Sequence, residues 1–254
     1  MLLAIARRDH KIAAMVAGPT TSGVPVRPTV IPPLKHGDRL ARAEFERRYD
    51  AMPNLKRAEL IEGVVHVPPA TRWDNHAVPR ADLIACFGYY RGGTPGVRVG
   101  DAGSIRLDLT NEPQPDITML IDPALGGLAV ISSDDYIEGS PELVAEISAS
   151  SISTDLNSKL AVYQRNGVRE YVVWRVYEGE IDWYSLAYGQ YQKLAKHSDG
   201  AVHSMVFPGL WIDVAAIIRG DIATAIRMIQ QGLDSAEHQA FVALLQTRRK
   251  SPSD

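Results

Sequence analysis

The segment Leu-Val-Ala-Glu-Ile-Ser at 143–148 constrains the fold more than any other part of the chain. It is short and apolar, as is typical of a central strand that is buried on both faces, and it carries one carboxylate, Glu146. Because side chains alternate along a strand, Glu146 and Ser148 point to one face and Ala145 points to the other. A buried acid is costly unless a positive group lies beside it. We therefore expect a cation next to Glu146.

A second acid and a lysine occur where they can meet this carboxylate. Asp116 opens another apolar strand, which the pattern predicts at 116–121. Lys159 lies on a short helix predicted at 155–166, which is capped by Ser153 or Thr154 and closed by Asn166-Gly167. The lysine lies at the edge of the apolar stripe that contains Tyr163. A lysine in that position can pack its stem on the core and bring its ammonium group to carboxylates of the sheet.

Two acids and a lysine at strand ends predict a site for a hard divalent cation, Mg²⁺ or Mn²⁺, because such cations prefer oxygen ligands. A cation held this way can polarise a phosphoryl oxygen and generate hydroxide near neutral pH, which indicates phosphodiester hydrolysis. Other interpretations stay open on the residues alone. Asp116 could simply begin a strand, Glu146 could be a paired core acid, and Lys159 could be a solvated helix lysine.

Composition excludes several classes of protein. The single cysteine, Cys86, excludes an intrachain disulfide framework and a cysteine-rich zinc site. The formal charge is -3, so any contact with nucleic acid must come from a local basic surface. No apolar run is long enough to span a membrane, and Arg7 and Arg8 follow the first apolar residues, unlike the charges of a signal peptide. We therefore expect a cytoplasmic protein without a membrane partner.

The chain divides into an arm, one core domain and a tail. Residues 1–36 are predicted to be a flexible N-terminal arm, because 18–33 is rich in Pro, Thr and Gly. Residues 37–215 form the predicted domain, and 216–254 the predicted helical tail. The remaining predicted elements are helices at 39–52 and 74–90, hairpins at 58–67 and 170–186, strands at 104–109 and 191–194, and a loop at 92–96.

Several sequence blocks occur in the order found in one family of bacterial proteins. They are Ala58-Glu59-Leu60-Ile61-Glu62-Gly63-Val64-Val65, His76, Pro115-Asp116-Ile117, Glu142-Leu143-Val144-Ala145-Glu146-Ile147-Ser148, Asp155 with Lys159 and Tyr163, and Gly167-Val168-Arg169-Glu170-Tyr171-Val172-Val173-Trp174. No block is decisive alone, but their order and spacing are specific. On these blocks, which cover about residues 38–215, the chain resembles the Uma2 family of the PD-(D/E)XK nuclease superfamily.

The resemblance implies a fold and a function. The fold is α/β and restriction-endonuclease-like: a mixed central sheet flanked by helices, with a β-hairpin extension and a C-terminal helix. The function is a divalent-metal-dependent endonuclease whose partner is nucleic acid, with DNA expected, and a homodimer is left open. A different class of function also stays open, namely a nuclease-fold protein of weak or no activity that binds nucleic acid or protein.

The resemblance also assigns roles to residues. Asp116 and Glu146 match the metal-binding acids of the superfamily. Ser148 stands where the superfamily usually has its lysine, and Lys159 on the helix is expected to take over that lysine's role at the phosphate or the attacking water.

Three further residues belong to the predicted site. Glu59 is either an additional acid or a solvated hairpin residue, His76 is expected to be structural or to face the substrate, and Tyr163 accompanies the helix lysine. The sequence holds no Gly-X-Ser-X-Gly elbow, phosphate-binding glycine loop or His-Glu-X-X-His zinc helix. The placement of five arginines discriminates between the two functions, because scattered arginines would weaken the DNA interpretation; they are Arg72, Arg80, Arg91, Arg98 and Arg106.

Overall fold

The computed structural model describes residues 30–250. Its strands are β1 (Glu59–Ile61), β2 (Val64–His66), β3 (Val97–Asp101), β4 (Ile105–Arg106), β5 (Ile117–Ile121), β6 (Val130–Ile131), β7 (Ile137–Glu138), β8 (Leu143–Ser148), β9 (Glu170–Arg175), β10 (Glu180–Ala187), β11 (Gln190–Lys193), β12 (Val202–His203) and β13 (Trp211–Ile212).

The helices are α1 (Arg42–Asp50), α2 (Val78–Gly93), α3 (Leu160–Arg165), α4 (Val214–Ile218), α5 (Ile222–Leu233) and α6 (Ala236–Lys250). A π-helical segment precedes α2 at Trp73–Ala77 and another precedes α3 at Thr154–Lys159. A 3₁₀ turn lies at Pro123–Leu125. In the described part of the chain, no helix has the length and apolar character needed to cross a membrane.

The centre of the fold is a six-stranded mixed sheet in the order β11-β10-β9-β8-β5-β3. β8 and β9 run parallel, and the other neighbouring pairs run antiparallel. β5 and β8 are buried along their whole length, as their apolar sequences predicted for central strands. Helices cover the sheet, so the predicted mixed α/β architecture is confirmed.

The strand register brings two chain segments to one edge of this sheet. Ser148 at the end of β8 pairs with Arg175 at the end of β9, because these strands are parallel. β5 runs the other way, with Ile117 opposite Ala145, so its first residues lie at the same edge. Asp116, which directly precedes β5, is therefore placed beside the end of β8.

The two faces of the sheet carry separate cores. The larger core contains Ala145 and is covered by α2 and the C-terminal helices, with Phe87 among its buried side chains. The smaller core contains Val144 and Tyr163. Strand alternation separates Val144 from Ala145, and it places Glu146 on the face of the smaller core.

The described part of the helical tail predicted at 216–254 contributes to the larger core. α5 and α6 contribute Ile229 and Leu245, both of them buried. Near the end of α5 the backbone approaches another segment so closely that a Cβ on Gly232 would lie 2.0 Å from the carbonyl oxygen of Gly209. Only glycine allows this approach.

The first hairpin lies outside the main sheet. Among the described strands β1 and β2 pair only with each other, and isolated bridges join Leu60 to Glu112 and Val64 to Arg39. α1 packs on the hairpin in a third cluster that includes Leu34 and Phe45. Because Leu34 is only 5% exposed, the packed chain begins before the predicted boundary at residue 37. The rest of the predicted arm, residues 1–29, lies outside the described residues.

Two strand predictions differ from the structure. Of the strand predicted at 104–109, only Ile105–Arg106 forms a strand, β4, which pairs with β7 in a separate three-stranded sheet. β3 forms where the sequence predicted no strand. It is an edge strand exposed along most of its length, so its sequence needs few apolar residues and lacks the pattern of a buried strand.

Candidate functional site

Asp116 is held at the sheet edge by three donors. The backbone N–H of Ile147 donates to its Oδ2 at 2.8 Å, Arg57 Nη1 lies 2.9 Å from its Oδ1, and His76 Nε2 lies 3.2 Å from Oδ2. Burial alone would raise the pKa of Asp116, but the hydrogen bond of His76 and the charge of Arg57 outweigh it and hold the pKa well below its ordinary value. Asp116 is therefore a firmly ionised carboxylate.

Glu146 meets the predicted lysine. Lys159 Nζ donates to Glu146 Oε1 at 2.9 Å, and the hydroxyl of Tyr163 donates to the same oxygen at 3.2 Å. Both the glutamate and the lysine are buried. The solvated-lysine interpretation of Lys159 is therefore wrong, since its ammonium group lies against the sheet.

Glu59 joins the same lysine from the first hairpin. Lys159 Nζ donates to Glu59 Oε1 at 2.9 Å, and the backbone N–H of Gln114 donates to that oxygen at 2.8 Å. Glu59 is 6% exposed, so the alternative that it is a solvated hairpin residue is wrong. Lys159 thus links the hairpin to the central sheet.

Lys159 reaches the sheet from a π-helical segment, where a regular helix was predicted. Neither Ser153 nor Thr154 provides the predicted side-chain cap, although the helix does end at Asn166-Gly167, with Gly167 at a φ of 80°. A π turn closes i→i+5 hydrogen bonds, so residues four apart lie close to one line along it. Asp155 and Lys159 are four apart, and both point inward and are buried.

Asp155 adds a fourth carboxylate to the site. Its Oδ1 lies 3.8 Å from Lys159 Nζ, and Ser151 Oγ donates to its Oδ2 at 2.5 Å. Asp155 Oδ1 and Ser148 Oγ are both buried without a hydrogen-bond partner among the described residues.

Sequence reasoning missed Asp155 and Arg57 as site residues. The spacing of Asp155 to Lys159 was a usable signal, because residues four apart share a helix face. Arg57 carried no signal, since it lies in the irregular stretch between α1 and β1 and meets Asp116 only in the folded chain.

The site holds more acids than permanent cations. The acids are Glu59, Asp116, Glu146 and Asp155, and the cations are Lys159, Arg57 and Arg80, of which Arg80 also pairs with Asp101 outside the cluster. Burial, offset only in part by Lys159 and reinforced by the neighbouring acids, raises the pKa of Glu146 to about 8. Burial also raises the pKa of Asp155. Desolvation would lower the pKa of Lys159, but the surrounding acids raise it, so the lysine stays charged. Such a site favours the uptake of a proton or a cation.

Glu59, Asp116, Glu146, Arg57 and Lys159 line a cavity of about 470 Å³ that opens to solvent. Asp116, Glu146 and Lys159 are its buried lining, and Lys56 and Arg72 are exposed residues at its mouth. Neither Lys56 nor Arg72 forms a salt bridge within residues 30–250. Their charges are therefore available to an anion that enters the cavity.

The five arginines gather at the site only in part, which to that extent weakens the DNA interpretation. Arg72 lines the cavity, and Arg80 Nη1 lies 3.8 Å from Asp116 Oδ1. Arg106 is engaged elsewhere, with Glu46, Asp134 and Glu138. Arg91 and Arg98 lie toward the far ends of α2 and β3. The positive charge at the site thus comes mainly from Lys56, Arg57, Arg72 and Arg80.

Within residues 30–250, no three His, Cys, Asp or Glu side chains are arranged to hold a metal ion. The donor chemistry nevertheless suits a hard cation, because carboxylate oxygens are its preferred ligands. Mg²⁺ is commonly held by one or two carboxylates, with waters and substrate phosphates completing its shell. Asp116 and Glu146 match that requirement.

Comparison with known proteins identifies the family. The profile of Uma2, described as "Putative restriction endonuclease", matches residues 42–215. Among solved structures the chain is similar to the crystal structure of "a putative nuclease belonging to DUF820" from Anabaena variabilis ATCC 29413, with 12% identity, a TM-score of 0.50, and coverage of 68% of this chain and 97% of the other. At this identity the likeness shows the fold alone. No curated protein matches the sequence. Since the family profile covers more than half of the chain, the protein belongs to the Uma2 family, as its sequence blocks predicted.

Proposed function

We propose that the protein is a divalent-metal-dependent endonuclease that hydrolyses phosphodiester bonds in DNA. The observation that carries the proposal is the buried cluster of Asp116, Glu146 and Lys159, which opens to a cavity whose mouth carries cations that have no salt bridge among the described residues. Membership of a family described as restriction endonucleases and a nuclease-like fold support the same conclusion.

Asp116 and Glu146 would hold the cation. The chemistry that Mg²⁺ supplies when bound is the activation of water and the neutralisation of charge on the phosphate. Asp116 is ionised and anchored by the Ile147 N–H, so it needs no proton loss to act as a ligand. Glu146 has a raised pKa, so binding a cation would release its proton.

The cations of the chain would serve the phosphates. Lys56 and Arg72 at the mouth would bind backbone phosphates by charge. Lys159 keeps an ammonium group among the acids, where it can stabilise negative charge that develops on the scissile phosphate or orient the attacking water.

A cleavage assay with paired variants tests the proposal. Supercoiled plasmid, linear duplex and single-stranded DNA are incubated with the protein and Mg²⁺ or Mn²⁺, and with EDTA as the blank. We expect cleavage that needs the metal and falls about a hundredfold or more in Glu146→Gln and in Lys159→Met. Calorimetric titration should show weakened Mg²⁺ binding in Glu146→Gln, because a neutral amide is a poorer ligand for a hard cation.

Two matched controls, together with the site variants, distinguish a loss of catalytic chemistry from a general effect of surface charge and from cleavage by a contaminating nuclease. Glu178 and Lys196 are exposed, so Glu178→Gln and Lys196→Met change the same residue types on the surface. Both should cleave like the parent. Circular dichroism spectra must show that every variant is folded. Full metal-dependent cleavage by folded Glu146→Gln and Lys159→Met would place the activity elsewhere and refute the proposal.

A second candidate function is a binding protein on a nuclease fold with little or no activity. One observation favours it: the acids are already paired with Lys159, Arg57 and His76, and no described group of three forms a ready metal site. A parent protein that binds DNA but cleaves none of the three substrates with either metal would support this alternative.

A further inference from the structure

We propose that Trp73, which follows the cavity residue Arg72, and Tyr177, which lines the cavity, form a stacking platform for unpaired nucleobases, so that the substrate is single-stranded or locally unpaired DNA. This inference rests on the proposed function, whose substrate it makes specific. We call the two residues the rim aromatics.

The rim aromatics are unusually exposed. Trp73 is 75% exposed and Tyr177 is 65% exposed. By contrast, Trp174 and Trp183 are buried in the core, and Trp211 stacks on His203 with 4.4 Å between ring centroids. Large aromatic side chains gain much from burial, so exposed ones beside a cavity are typical of binding surfaces.

Both rim aromatics are joined to elements of the site. Trp73 begins the π-helical segment that brings His76 to Asp116. Tyr177 follows β9 and lines the cavity, and Asn75 Nδ2 donates to its hydroxyl at 3.4 Å. The π-helical segment at 73–77 therefore carries Trp73 itself and Asn75, which contacts Tyr177. It also carries His76, which contacts the catalytic candidate Asp116.

Charges accompany these rings. Arg72 precedes Trp73 in the chain, and Lys56 lines the same cavity, both exposed and without salt bridges in the described part of the chain. Proteins that bind single strands combine cations that follow the phosphates with aromatic rings on which bases stack. Unlike an apolar protein partner, a nucleic-acid strand uses both the rings and the free cations.

The rings favour unpaired bases over an intact duplex. In a duplex the faces of the bases are covered by their neighbours, so an aromatic side chain contacts them only after unstacking has been achieved. In a single strand the faces are free, and each stacked base adds to affinity. The platform should therefore discriminate by strandedness rather than by base sequence.

Binding measurements without cleavage test this inference. Fluorescence anisotropy follows a short labelled single-stranded DNA and its blunt duplex in EDTA, with the parent, Trp73→Ala and Tyr177→Ala. We expect the parent to prefer the single strand, and each variant to lose about tenfold in affinity for it while its weaker duplex binding changes little. Trp73→Phe should retain most of the affinity, because it keeps a ring.

Tyr188→Ala is the matched control. Tyr188 is fully exposed and lies in the turn after β10, at the opposite end of that strand from Glu180, which pairs with Arg175 at the site edge. Its removal should leave single-strand binding unchanged.

The outcomes separate this inference from the proposed function. If Trp73→Ala and Tyr177→Ala bind the single strand like the parent, or if the parent prefers duplex, the platform is refuted even where the parent cleaves DNA. If single-strand binding depends on both rings but no metal-dependent cleavage occurs, the platform stands and the nuclease proposal fails.

Discussion

Lys159 gains its importance from the acids around it. Its ammonium group contacts Glu59 and Glu146, which are far apart in sequence, and lies near Asp155. An intact buried ion pair adds little net stability, because desolvation offsets the attraction, but removing one partner commonly costs about 3–5 kcal/mol. The intact contacts of the lysine with the acids therefore add little to stability. Its removal is costly, however, so folding must be checked in any variant that lacks it.

Glu146→Gln should change how stability depends on pH. The pKa of Glu146 is raised from 4.5 to about 8, so between these values the folded state binds more protons than the unfolded state. The contribution of Glu146 to the free energy of unfolding is thus largest at low pH, and it is lost as the pH rises through the pKa of the folded state. We expect the variant to lose this downward slope. Urea unfolding in EDTA, at several pH values across this range, measures it.

Comparison of the parent with Glu146→Gln isolates the contribution of Glu146 to the pH dependence of stability. Glu112 and Glu170 also have raised pKa values, of about 8 and about 7, and contribute slopes of the same sign in both proteins. Only the difference between parent and variant reports on Glu146. Parallel stability curves over the whole range would show that Glu146 is ionised in the folded protein at all these pH values.

Among the elements, the two π-helical segments have the most direct relation to the site. Trp73–Ala77 carries His76, and Thr154–Lys159 carries Asp155 and Lys159. π turns are rare and occur frequently at functional sites, because the wider turn re-aims side chains that a regular helix would separate. Here each segment directs a polar group toward a carboxylate of the sheet edge.

The docking of α5 depends on a pair of glycines. In Gly232→Ala the new Cβ would lie 2.0 Å from the Gly209 carbonyl oxygen, so the helix must shift away from the segment before β13. We expect a loss of about 1–3 kcal/mol in the free energy of unfolding. Thermal and urea unfolding of the variant measure this loss.

Gly88→Ala is the matched control for this element. Gly88 lies inside α2, and a Cβ there would meet no atom within 4 Å. Alanine is favoured over glycine in a helix, so this variant should gain about 0.5–1 kcal/mol. Equal stability changes in the two variants would show that the close approach at Gly232 is unimportant.

At the scale of the molecule, the site depends on two separate sheets. Glu59 comes from the hairpin β1–β2, whereas Asp116 and Glu146 come from the edge of the central sheet. Arg57 and Lys159 connect them by ion pairs. Any movement of the hairpin against the sheet would therefore change the charge balance in the cavity.

The beginning of the packed chain can be located by truncation. A chain that starts at residue 30 keeps Leu34, whereas one that starts at residue 36 loses this buried side chain. Burial of a leucine contributes about 1.5–3 kcal/mol, so the shorter chain should melt at a lower temperature. Leu34→Ala in the longer chain separates the side chain from the backbone before it. Identical melting temperatures would support the predicted boundary near residue 36.

Local patterns were sufficient for the framework of this protein. The apolar runs at 116–121 and 141–148 predicted central strands, and the turn Asn166-Gly167 predicted the end of a helix, because burial preference and backbone freedom belong to the residues themselves. The family blocks predicted the fold for the same reason, since they record several such preferences in order. The edge strand β3 was not predicted, because an exposed strand needs few apolar residues and so lacks the sequence pattern of a buried strand.

The charge state of the site required the folded chain. A lone strand glutamate indicates that some cation must be near, but the sequence does not reveal that Lys159 is shared with Glu59 or that Arg57 and His76 bind Asp116. These contacts join residues many positions apart, and electrostatic energy depends on distance and burial rather than on neighbours in the chain. The same physics makes Asp116 a fixed anion and Glu146 a proton acceptor, although both are acids beside an apolar strand.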